Sequence, residues 1–79
     1  MNKQRRAKLS ASLQALEVIR GDLEEVRDAE QDTYDQMPAN LQNGARAETI
    51  LSAVDTITTA LDSTDEAIDC LRELDGVSG

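Results

Sequence analysis

Residues 50–71 read ILSAVDTITTALDSTDEAIDCL. Ile50, Val54, Ile57, Leu61, Thr64, Ile68 and Leu71 recur through this stretch at an alternating spacing of four and three, and only Thr64 is not apolar. That spacing puts all seven on one face of an α-helix, as in the a and d seam of a heptad. Leu51 and Leu74 flank the seam. Ala53, Ala60 and Ala67 form a parallel line at period seven beside it. Small residues at fixed spacing let a second helix approach closely. On that reading the helix offers one face to a partner within the chain and a neighbouring face to another chain; on the plainer one, the alanines are there as good helix formers.

Working outward, the preceding half of the chain carries a similar pattern. Leu9, Leu16 and Leu23 recur every seven residues, Ile19 and Val26 follow two of them by three, and Leu13 widens the stripe. These are a, d and e positions of a second amphipathic helix. The stripe fades past Val26, where Glu30 and Thr33 take the next places. Between the two patterns lies Met37-Pro38-Ala39-Asn40-Leu41-Gln42-Asn43-Gly44. Pro38 disfavours helical geometry at Met37. Asn43-Gly44 is a turn signal, with Asn43 placed to cap the second helix. The expected architecture is one all-α domain spanning 1–79, with a helix over about 2–35, a turn over about 36–44 and a helix over about 45–75. Gly76 is expected just past its end, with Val77, Ser78 and Gly79 frayed.

A connection this short makes the helices antiparallel. A chain of 79 residues buries only about 60% of its unfolded surface, and two helices leave much of each stripe wet. Four-helix bundles or larger helical oligomers close such a core. The residues expected in it are Leu16, Ile19, Leu23, Val54, Ile57, Leu61, Ile68 and Leu71.

Composition narrows the function. There is no histidine and a single cysteine, Cys70. Glu-x-x-His pairs for a di-iron bundle are therefore absent, as is the D-x-D-x-D-G pattern of a calcium loop. No metal, no cofactor and no catalytic residue is expected, and the chain is read as a non-enzyme. Asp28, Asp32 and Asp35, and the group Asp62, Asp65, Glu66 and Asp69, read as solvated helix faces. Cys70 lies outside the main seam and reads as structural or neutral. Net charge is −8, and the sixteen acids all lie after residue 8, against Arg20, Arg27, Arg46 and Arg72. Such a body repels nucleic acid and anionic membranes. Lys3, Arg5, Arg6 and Lys8 hold the other half of the cations. No apolar segment follows this basic start, and none approaches the roughly 20 residues of a membrane span. A cytoplasmic location is expected.

One segment concentrates the unusual residues. Tyr34 is the sole aromatic and Pro38 the sole proline; Met37, Asn40, Gln42, Asn43 and Arg46 accompany them. A base could stack on Tyr34, the amides could read its edges, and Arg46 could hold a phosphate near a helix N-terminus. Further cations for a phosphate would come from a neighbouring chain, from Arg20, Arg27 or the Lys3–Lys8 arm. The plainer reading is that Tyr34 and Met37 plug the end of the bundle.

The run Glu30-Gln31-Asp32-Thr33-Tyr34-Asp35-Gln36-Met37-Pro38-Ala39-Asn40-Leu41-Gln42 resembles a family of short proteins of phages, prophages and mobile elements in Gram-positive bacteria. Its members start with a basic helix, carry a Glu-Gln…Tyr-Asp…Met/Leu-Pro…Leu-Gln segment and end in a regular acidic helix. Arg46 and Glu48 match the Arg and Glu that open the family's second helix. The resemblance covers essentially the whole chain and brings no activity of its own. It implies a setting, the cytoplasm of an infected or lysogenic cell, where short helical proteins act in counter-defence. Two expectations follow. In the first, an oligomer sequesters a nucleotide-like immune signal at the interhelical turn. In the second, an acidic module blocks a host protein, in one form by mimicking DNA.

Overall fold

In the computed structural model, which describes residues 1–74, 76 and 77, the chain is an antiparallel helical hairpin. Helix α1 spans Lys3–Asp35, a single 3-10 turn spans Ala39–Leu41, and helix α2 spans Ala45–Arg72. No strand occurs among the described residues. The hairpin is 59 Å long and 14 by 13 Å across its backbone.

The limits of α1 follow from local chemistry. Asn2 caps it, its side-chain oxygen accepting the Arg5 N–H at 2.8 Å, which satisfies one of the unpaired donors of the first turn. The helix stops at Asp35, two residues before the position that Pro38 restricts. Helix α2 holds many threonines for a helix. Thr49, Thr58, Thr59 and Thr64 each donate a hydroxyl to the carbonyl four residues back, at 2.8–3.1 Å, so their polar atoms need no tertiary partner.

Lettered as a heptad from Ala47, α2 has a strict division of labour. Its a line is Ala47, Val54, Leu61 and Ile68. Its b line is Glu48, Asp55, Asp62 and Asp69, all exposed. Its c line is Thr49, Thr56, Ser63 and Cys70. Its d line is Ile50, Ile57, Thr64 and Leu71. Ala47, Ile50, Leu61 and Ile68 are the buried residues of α2, and Leu13 is the buried residue of α1.

Three features differ from the sequence expectation. First, α1 docks by its a and e lines, with Leu13 at 4% exposure, while Ile19 and Val26 on the d line are 47% and 52% exposed. An apolar stripe spanning a, d and e is wider than one neighbouring helix covers, so one edge stays out. Second, α2 ends at Arg72, with Glu73 as its C-cap, short of Gly76; Asp75 lies outside the described residues. Gly76 does adopt a left-handed φ of 78°, but beyond the helix end rather than as its first non-helical residue. Third, Val77 is not frayed. It is 1% exposed and joins Leu13 and Ile68 in a buried cluster against which Leu9, Leu16 and Leu71 pack. Ser78 and Gly79 lie outside the described residues.

The return of the tail is built on Gly76. Its positive φ favours glycine, and an added Cβ would sit 2.9 Å from Cδ of Arg6. The chain thus bends back over the start of α1 and drops Val77 between the two helices.

Candidate binding site at the interhelical turn

The turn is closed by backbone bonds. Met37 N–H donates to the Tyr34 carbonyl at 3.0 Å, Leu41 N–H to Pro38 at 2.8 Å, and Gly44 N–H to Leu41 at 3.1 Å. Pro38, with φ −56° and ψ 144°, leads into the 3-10 turn. Gln42 adds a side-chain clasp, its Nε2 donating to the Tyr34 carbonyl at 3.3 Å. The end of α1 is thereby tied to the approach to α2. Among the predicted site residues, Gln42 therefore holds the turn itself, with its Oε1 left to accept.

Tyr34, Met37 and Gln42 are half-buried, whereas Asn40, Asn43 and Arg46 are exposed. Asn43 does not cap α2. Gly44 takes that place, with extended backbone and no side-chain cap. Gly44 donates its N–H to the Leu41 carbonyl at 3.1 Å, so close that an added Cβ would stand 3.3 Å from that oxygen. The first-turn N–H groups of α2 consequently lack a side-chain acceptor. Such groups and the helix dipole attract anions. Glu48 already stands in this first turn and offsets part of that attraction.

The arginines are distributed unevenly. Arg20 is bound to Asp65 across the hairpin and to Glu24 along α1, the latter at 3.0 Å. Its hydrogen bond to Asp65, followed by the charge of that carboxylate, raises its pKa. Arg72 meets Glu17 at 3.0 Å, and Arg27 meets Asp28 at 3.1 Å. Arg20 and Arg27, suggested as cations for a neighbour's site, thus already have carboxylate partners within the chain. Arg46 makes no ion pair among the described residues, nor do Lys3, Arg5, Arg6 and Lys8.

Sequence reading did not find the charged groove on one flank of the hairpin. It is an open depression of about 580 Å³ lined by Glu17, Arg20, Asp65, Ile68, Asp69 and Arg72. The available signal was that Arg20 and Asp65 occupy equivalent e positions on antiparallel helices. A second depression, of about 330 Å³, lies at the start of α1 beside Met1, Arg5, Lys8, Leu9 and Ser12.

The remaining acids make no built site. Asp35 accepts from Gln31 at 3.1 Å, and Cys70 is an exposed free thiol. No group of His, Cys, Asp and Glu among the described residues is arranged to hold a metal ion. No helix among them is long and apolar enough to cross a membrane. No known protein family, no curated protein and no solved structure matches this chain.

Proposed function

We propose that this protein is a non-enzymatic, homo-oligomeric binding protein of phage type that captures a small anionic, nucleotide-like signal at the interhelical turn. One observation carries the reading. Between residues 9 and 74, Arg46 is the arginine left without a carboxylate, and it lies in the first turn of α2, where no side chain caps the helix. A guanidinium beside unpartnered N–H groups suits a phosphate. Tyr34 offers the stacking face nearby in sequence, and Asn40 and Asn43 offer exposed amides. Capture of an immune signal in the cytoplasm of an infected cell fits the resemblance to short phage proteins.

A second reading has its own observation. Glu48, Asp55, Asp62 and Asp69 form a straight exposed row on α2, about 10.5 Å apart. Such a row suits docking on a basic surface of a host protein, as a DNA mimic would.

Titration calorimetry with cyclic nucleotides and cyclic ADP-ribose-type signals, beside thermal melts, separates the two. Tyr34→Ala and Arg46→Ala should each abolish capture and leave helicity intact. A purely structural turn gives the reverse, with Tyr34→Ala lowering the melting temperature and Arg46→Ala silent. If no compound in the panel binds the native protein, the docking reading takes first place.

A further inference from the structure

The ion pairs fix which flanks of the two helices lie on the same side of the hairpin. Arg20–Asp65 and Glu17–Arg72 place the b and e lines of both helices together on one side. At 3.6 residues per turn, the d and g lines must then share the opposite side. That side carries Ser12, Ala15, Ile19 and Val26 from α1, bordered by Leu16 and Leu23. From α2 it carries Ala53, Ile57, Ala60, Thr64 and Ala67, edged by the Thr49, Thr56, Ser63 and Cys70 line. Beyond Arg46, the c, d and g lines of α2 hold no charge at all, and every later acid or base of that helix falls on b, e or f. An acidic chain has thus kept the α2 half of this flank free of charge beyond Arg46 and left Ile19 and Val26 about half exposed on the α1 half.

Resting on the reading that the chain self-associates, we infer that this flank is covered by the same flank of a second copy, with α1 antiparallel to the partner's α1 about a two-fold axis near Ile19. Charge selects both the occupant and the direction. The charges of α1 on this side are Arg5 and Lys8 at its start, Asp22 at the outer rim and Glu30 towards its end. A two-fold at Ile19 sets residue 8 opposite residue 30 of the other chain, so Lys8 meets the partner's Glu30, and Ser12 meets the partner's Val26. A parallel pairing would set Lys8 on Lys8 and Glu30 on Glu30, with like charges opposed. The size also fits. One helix width of about 10 Å over about 50 Å of α1, with roughly 20 Å of α2 beside it, gives a projected face of about 700 Å², which side-chain corrugation enlarges towards the roughly 800 Å² per partner of a specific interface. The arrangement has a consequence for the turn. Residues 3–8 of one copy lie alongside residues 30–35 of the other, so the basic arm arrives at the end of the partner's hairpin where Arg46, on the g line of α2, stands.

Sedimentation equilibrium tests this. The native chain should be at least dimeric. Ile19→Glu, which puts two carboxylates at the axis, should weaken association roughly tenfold or more. Gln14→Glu is the control: Gln14 is exposed and lies on the f line away from the face, and the variant should associate as the native chain does. Lys8→Glu and Glu30→Lys should each weaken association, and the double variant should restore it. A monomeric native chain overturns the self-association reading itself. A native oligomer that Ile19→Glu leaves unchanged, or that Gln14→Glu disrupts equally, overturns this face alone. Failure of the double variant to recover overturns the antiparallel register.

Discussion

Val77 is the residue whose role the local sequence conceals most. It is followed by only Ser78 and Gly79 in this sequence, comes after a glycine and lies outside any periodic pattern, and end residues ordinarily fray. Only the fold shows that the space between Leu13 and Ile68 is open at that end and that the left-handed Gly76 aims the chain into it. Val77→Ala should therefore cost roughly 1–3 kcal/mol, as for removal of methyl groups from a packed site. Gly76→Ala should also destabilise, by about 1–2 kcal/mol, because an L-residue is strained at that φ. Thermal melts of both variants check this. A tail that makes no contribution would leave both melts unchanged.

At the scale of the elements, nearly all of the helix content was legible, because Asn2, Pro38 and two heptad stripes mark where helices run and stop. The edge of α1 that faces its partner was not. Leu9, Leu13, Leu16, Ile19, Leu23 and Val26 span three heptad lines, and periodicity reports the stripe without saying which neighbour covers which line. The cross-hairpin contacts decide it: Leu13 reaches the buried cluster, and Arg20 on the same line lies over α2 to reach Asp65. Leu13→Ala should accordingly cost about 2–5 kcal/mol. Arg20→Met should alter the melt little, since the ion pair is solvated and the alkyl stem that covers apolar surface is kept. Because the Arg20 pKa is raised in the fold, the contribution of the pair is present below the unfolded arginine's pKa and is lost only on rising through strong alkali. Melts from pH 6 to 9 should show no step attributable to it. The candidate site was legible as a concentration of residue types between Tyr34 and Arg46. Its wiring was not, since capping by Gly44 and the Gln42 clasp depend on how closely the chain passes the Leu41 carbonyl.

For the molecule as a whole, charge and burial pull in opposite directions. A hairpin 59 Å long with six buried apolar residues among those described exposes much of its apolar surface, which favours association. A net charge of −8 opposes bringing two copies together. The proposed face eases the conflict by sending the α2 acid row to the far side, but each copy still repels the other through its overall field. Lowering the pH from 7 towards 5 approaches the pI of about 4.2, so the negative charge of each copy falls and the repulsion with it. Apolar burial at the interface does not titrate. The Lys8 pairing with the partner's Glu30 is made twice about the axis, and each contact is of small energy against a body-wide field. Association should therefore tighten between pH 7 and 5, before acid unfolding begins. Added salt at pH 7 should have the same sense, because screening weakens repulsion between exposed charges more than it affects buried contacts. Sedimentation across both series checks the balance. Dissociation that progresses as the pH falls would show that carboxylate contacts hold the assembly, with the apolar flank secondary.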